Sequence, residues 1–155
     1  SETGDVKNLG NDWFLDEIRA CVAYHQFLEL PRMVEQRRRL AATYELNLLN
    51  QPGIRLLTEV EGFQPSYYQY AVFLYKSVDP KQLQSRLREE HGIESKPIYK
   101  PTHHESVFHK YDTGDLKGTT ETLARSLCLP LHPGMSEEEA EHIAKCLVAE
   151  VRKQG

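Results

Sequence analysis

The amino-acid sequence predicts an α/β fold, α+β-like in layout: a small three- to four-stranded sheet covered by helices. Apolar residues recur at helical spacing through much of the chain, whereas aromatic and β-branched runs are few and short. Helical stretches separate those runs in the order α-α-β-α-β-α-β-α. A small open sheet with helices on one face is the natural packing of such an order. The 155 residues amount to one domain by length, with enough chain for a real core.

Asn11 or Asp12 caps the first helix, and Asp16 and Glu17 suit its first turn. Leu15, Ile18, Val22 and the pair Leu28/Leu30 follow at roughly helical spacing as far as Pro31, where the lost backbone donor predicts a kink or restart. A second helix then carries Met33, Leu40, Tyr44 and Leu48 on one side and stops before Pro52-Gly53. "SYYQYAVFLY" reads as a strand ending near Asp79-Pro80. Next comes an amphipathic helix with Asp79 as cap, Pro80 at the first helical position and Gly92 as left-handed stop. "IESKPIY" is expected as a short strand, which Pro97 assigns to an edge. "TGDLKGTTETLARS" is loop running into helix, and "LCLPLH" is an extended apolar run. In "MSEEEAEHIAKCLVAEVRK" Ser136 caps the last helix and Glu139 completes a capping box.

Composition narrows the function classes. Charged residues make up 27% and hydrophobic ones 39%, with a formal net charge of −4, so no nucleic-acid footprint is present. The run Arg37-Arg38-Arg39 is too short to alter that and reads as a solvated helix face. No apolar stretch has the length to cross a bilayer, and "SETGDVKNLGND" lacks a signal-peptide core. Residues 1–8 are expected to be a flexible segment ahead of a domain over 9–155. Cys21, Cys128 and Cys146 are widely spaced without a CxxC, which indicates neither a zinc ribbon nor a disulfide framework and fits a reduced, cytoplasmic setting.

The stretch "GIESKPIYKPTHH", residues 92–104, stands out. One reading is a metal site from His103, His104 and His109, joined in space by His132 and Cys128. Zinc needs three or four converging ligands, and adjacent histidines in an extended segment point opposite ways. No HxxxH or HExxH lies on a helix, so no metal is assigned. No G-x-S-x-G elbow supports a hydrolytic triad. A bare surface loop is a further reading.

A more specific match exists. "GIESKPIYKPTHH" resembles the segment G-I-E-[ST]-R-P-[ILV]-W-K-P-M-H of pyridoxal-phosphate-dependent sugar aminotransferases of the DegT/DnrJ/StrS family, and most closely the subgroup acting on nucleotide-linked 4-keto sugars. Four other segments are similar in the same order: "LGNDWFLDEIRACVAYHQFLEL", "RRRLAATYELNLLNQPGIRL", "YYQYAVFL" and "LARSLCLPLHPGMSEEEAEHIAKCL". Together they cover residues from about 9 to 151.

The resemblance implies the small C-terminal domain of a fold-type-I enzyme that acts as a homodimer. In that family a large N-terminal domain carries the lysine that forms the Schiff base with the cofactor, the aromatic residue stacked on its ring and the aspartate at its nitrogen. None of these finds a match in this sequence, and Lys7 lacks the expected S-x-x-K surroundings. No catalytic residue is therefore assigned, and pyridoxal phosphate is not expected to bind this chain alone. Two family positions near the cofactor phosphate fall on Asp12 and Phe14, a carboxylate that repels phosphate and a ring without a donor. On the substrate side Lys96 replaces an arginine, Tyr99 a tryptophan and Thr102 a methionine, while His103 is retained. The resemblance thus assigns Lys96, Tyr99, Lys100 and His103 to binding a nucleotide sugar. Two functions remain open: part of a sugar aminotransferase, or a non-catalytic binding or assembly module that keeps its fold. Neither involves nucleic acid or a membrane.

Overall fold

A computed structural model describes residues 15–57, 60–105, 108, 114 and 116–154. The expected caps at Asn11 and Asp12, the segment 1–8 and the positions Asp12 and Phe14 lie outside the described residues. The chain divides into two units, Ser1–Arg32 and Met33–Gly155. No helix among the described residues is long and apolar enough to cross a membrane.

The described part of the first unit is the beginning of helix α1, Glu17–Leu48. The Asp16 carboxylate accepts from the Arg19 amide at 2.9 Å and so caps the first described turn. Leu15, Ile18, Val22, Leu28 and Leu30, expected at roughly helical spacing, are all exposed. The restart expected at Pro31 does not occur, since α1 is one helix with Pro31 inside it. Proline there removes the hydrogen bond to the Phe27 carbonyl, at an exposed position of the helix.

The second unit holds the core. Its sheet has three antiparallel strands in the order β1-β2-β3, where β1 is Ile54–Leu56, β2 is Tyr70–Leu74 and β3 is Ser126–Leu129. Ile54 faces Leu74 across the first pair, and Val72 faces Leu127 across the second. Alternate residues Tyr70, Val72, Leu74, Leu127 and Leu129 join one hydrophobic cluster with Leu40, Tyr44 and Leu48 of α1. The same cluster takes Leu83 and Leu87 from α2, Pro80–His91, and Ile143, Ala144 and Leu147 from α4, Glu137–Arg152. A shorter helix α3, Lys117–Ala124, leads into β3. β3 stops before Pro130, which has no donor to extend the ladder.

Local chemistry sets the helix ends. Asp79 accepts from the Lys81 and Gln82 amides at 2.9 and 3.3 Å, Pro80 opens α2, and Gly92 closes it at φ 66°. The Ser136–Glu139 capping box opens α4, with both reciprocal bonds formed at 3.2 and 2.8 Å. Between α2 and α4 lies the buried Glu150 carboxylate, which accepts from Lys153 at 2.5 Å, His91 at 3.0 Å and Arg86 at 3.4 Å. The Lys153 and His91 hydrogen bonds, helped by Arg86, hold its carboxyl down to about 2 although burial pushes the other way.

The strand expected over "IESKPIY" reduces to a single bridge, Lys96 to Cys128. Pro97 follows at once and has no N–H to continue a ladder. Conversely, the three-residue β1 has no counterpart among the expected strands.

Two stability measurements test these packing arguments. Gly53 sits at φ +80°, where an added Cβ would lie 2.6 Å from Val151 Cγ1 and 3.1 Å from Val78 Cγ2. Gly53→Ala is expected to cost about 2–4 kcal/mol in urea unfolding, whereas Gly92→Ala, left-handed but facing open space, costs about 1 kcal/mol. Equal costs at the two sites would remove the clash from the explanation. Glu150 has its folded pKa depressed, so its contribution is full above the unfolded carboxylate value and fades as pH falls toward about 2. Glu150→Gln should cost about 1–3 kcal/mol at neutral pH and should flatten the stability loss between about pH 5 and pH 2. An unchanged acid limb in the variant would assign the acid sensitivity to other groups.

Candidate functional site

The segment after α2 is held from three sides. The Ile93 amide donates to the Leu87 carbonyl at 2.9 Å, completing the helix stop, and the Gln84 side-chain amide donates to the Ser95 carbonyl. The Lys96 and Cys128 backbones exchange two bonds at 3.4 and 2.7 Å. The Ile98 amide donates to Ser126 Oγ at 3.1 Å, and that hydroxyl donates onward to the Leu123 carbonyl at 2.7 Å. The backbone then turns through a short 3-10 helix, Thr102–His104, closed by the Glu105 amide on the Thr102 carbonyl at 3.0 Å.

This course divides the four residues expected to bind substrate. Tyr99, Lys100 and His103 line one open hollow of about 520 Å³, with Ile98, Phe108, Leu116 and Leu123 supplying apolar wall. Tyr99 is 60% exposed, so its ring face is free for a flat or apolar ligand surface. His103 Nε2 lies 3.4 Å from Thr120 Oγ1 of α3, and its ring meets that of His104 edge-on at 4.3 Å. Lys100 pairs with Glu105 at 3.3 Å, an exposed contact that a ligand anion can compete with. This combination of an aromatic face, an imidazole and a cation suits a polar ring bearing hydroxyls.

Lys96 lines a different hollow, of about 490 Å³, together with Arg37, Tyr68, Gln69, Ser95 and Cys128. Burial pushes the Cys128 thiol up, and the positive charge of Lys96 offsets part of that rise. The three arginines expected to form one solvated face diverge. Arg39 pairs with Glu35 at 3.5 Å in solvent, and Arg38 donates to the Pro65 carbonyl at 3.0 Å. Arg37 is half-buried in the second hollow. The signal was in the spacing, because Arg37 precedes Leu40, Ala41 and Tyr44 on the buried stripe of α1.

As for metals, the described residues bring ligand atoms of Glu90, His91 and Glu150 within 4.8 Å of one another, a group that includes neither His103 nor His104. Lys153 already donates to both of those carboxylates. His109, one of the histidines considered for a metal, is outside the described residues.

A family model described as the DegT/DnrJ/EryC1/StrS aminotransferase family matches residues 2–148. The chain belongs to this family. It is one of pyridoxal-phosphate-dependent aminotransferases. A pleiotropic regulatory protein of Geobacillus stearothermophilus is 32% identical over 142 residues, covering 88% of this chain and 37% of that protein. A dTDP-4-dehydro-2,3,6-trideoxy-D-glucose 4-aminotransferase of Saccharopolyspora spinosa is 29% identical, over 90% of this chain and 35% of the enzyme. The crystal structure of the aminotransferase TlmJ from Streptoalloteichus hindustanus superposes with a TM-score of 0.85 at 26% identity, over 97% of this chain and 40% of that one. The chain therefore spans well under half the length of these relatives.

Pyridoxal phosphate needs a lysine whose amine is made nucleophilic by desolvation or a neighbouring cation. Every lysine among the described residues of this family member is exposed, and Lys100, Lys145 and Lys153 are each paired with carboxylates. The described residues thus offer no desolvated lysine for the reactive end of the cofactor.

The two sides of the segment should respond differently to mutation. Tyr99→Ala and His103→Ala are expected to change urea stability by no more than about 0.5 kcal/mol, as side chains at an open surface. Ser126→Ala should cost about 1–2 kcal/mol, since it strands the Ile98 amide and the Leu123 carbonyl. A large loss for Tyr99→Ala would mark that ring as packing rather than ligand surface.

Proposed function

We propose that this chain, over residues 9–155, is the C-terminal small domain of a sugar aminotransferase whose complete, homodimeric, cytoplasmic form transfers an amino group to a nucleotide-linked keto sugar. The carrying observation is the convergence of Tyr99, Lys100 and His103, members of the family-like segment, on one hollow. Tyr99 offers a face for the apolar side of a pyranose or a base, and His103, steadied by Thr120, offers a hydrogen bond to a hydroxyl. Lys100 supplies charge at the rim, held back by Glu105 until a ligand oxyanion competes. The position of Lys96 in the other hollow leaves three of the four expected residues for this role.

On this reading the 155-residue polypeptide by itself catalyses no transamination, because its exposed lysines lack the surroundings the cofactor requires. An open hollow also encloses little of a ligand, so nucleotide-sugar affinity should be weak, ~1 mM or poorer. Titration with several nucleotide sugars, followed by amide NMR, is expected to shift residues 98–104. Turnover by the polypeptide alone, micromolar binding, or shifts confined elsewhere would overturn the proposal.

The altered pair Asp12 and Phe14 supports a second reading, a binding or assembly module that keeps the fold without catalysis. The complete gene separates the two: an S-x-x-K motif ahead of this region belongs to the first reading, and its lack to the second.

A further inference from the structure

Among the described residues, three buried side-chain polar atoms have no hydrogen-bond partner: Arg37 Nε, Ser95 Oγ and Gln154 Nε2. Two of the three belong to residues lining the same hollow, the one that also holds Lys96. Ser95 is only 7% exposed, so water does not readily satisfy its hydroxyl. The Lys96 side chain has no ion pair among the described residues. Glu94 also lines this hollow, and its carboxylate is paired with Arg88 at 3.2 Å rather than with Lys96. The hollow therefore gathers two positive charges and a hydroxyl that this carboxylate does not pair.

Unpaired donors of this kind cost stability unless a ligand completes them. A planar guanidinium offers a fork of donors and an ammonium a point charge, and together they suit a group with several oxygens and two negative charges. A single carboxylate would leave one cation unmatched. We propose that the hollow formed by Arg37, Ser95 and Lys96 binds a phosphoryl dianion. The site is separate from the Tyr99 hollow and does not depend on the sugar reading of that hollow. Arg37 reaches it from α1 and Ser95-Lys96 from the segment bridged to β3.

The test uses the 155-residue chain, inorganic phosphate as probe, acetate as the carboxylate comparison and chloride to fix ionic strength. Amide and Arg Nε–H NMR signals of residues 37, 95, 96 and 128 should shift saturably with phosphate, with a Kd of ~1–10 mM. Acetate should bind at least about 5-fold more weakly. Lys96→Met and Arg37→Met should each weaken phosphate by at least about 5-fold, and Arg37→Lys should restore part of the loss. Should Arg37→Met fail to fold, Lys96→Met on its exposed side chain carries the test. Equal response to acetate and phosphate, unsaturable shifts, undiminished binding in Lys96→Met, or shifts centred on Tyr99 and His103 would each overturn the proposal.

Discussion

Two backbone hydrogen bonds between Lys96 and Cys128 fix the part of this molecule that can meet a ligand. They tie a proline-interrupted segment to the last strand of the sheet, so that residues on either side of Pro97 line separate hollows. Their neighbours share the load. Gln84 of α2 holds the Ser95 carbonyl, and Ser126 passes a hydrogen bond from the Ile98 amide to the end of α3. The polar backbone of the segment is thus answered by two helices and a strand, which is what an irregular stretch against a core requires. Residues placed this way are pre-organised, and binding does not have to order them first.

Behind that segment the core places Arg37. Tyr44 is fully buried, stacks on Tyr70 with ring centroids 4.9 Å apart, and donates its hydroxyl to the Pro130 carbonyl at 2.7 Å. Burial pushes the pKa of both tyrosines up, so they remain neutral donors across ordinary pH. Pro130 itself borders the Arg37 hollow. Anchoring Tyr44 fixes the rotation of α1, and with it the direction in which a residue two turns earlier on the same stripe points.

The sequence made legible what local chemistry decides. Asp79, Pro80 and Gly92 bound α2, and Ser136 with Glu139 opens α4, because caps depend on residues within one turn of each other. The family-like segment was equally readable, as five stretches in fixed order specify a fold better than any one of them. Long-range features were not readable. β1 is three residues whose pairing depends on a distant partner, and Arg55 within it lies 4.9 Å over the Phe73 ring. At Pro31 the helix runs on instead of restarting, since a proline inside a helix forfeits one backbone hydrogen bond and the rest of the ladder remains. Lys96 was grouped with Tyr99 through the family-like segment, yet the bridge to Cys128 and the proline after it place them in separate hollows.

Pro97 has a further effect. An outer strand with regular free amides and carbonyls invites another chain to add a strand there. Along β3 that edge is met by a single bridge, then a residue with no N–H, then an amide committed to a serine hydroxyl. No neighbouring copy finds a continuous register on such an edge. The irregularity that keeps the segment from joining the sheet as a fourth strand also guards the β3 edge against strand addition.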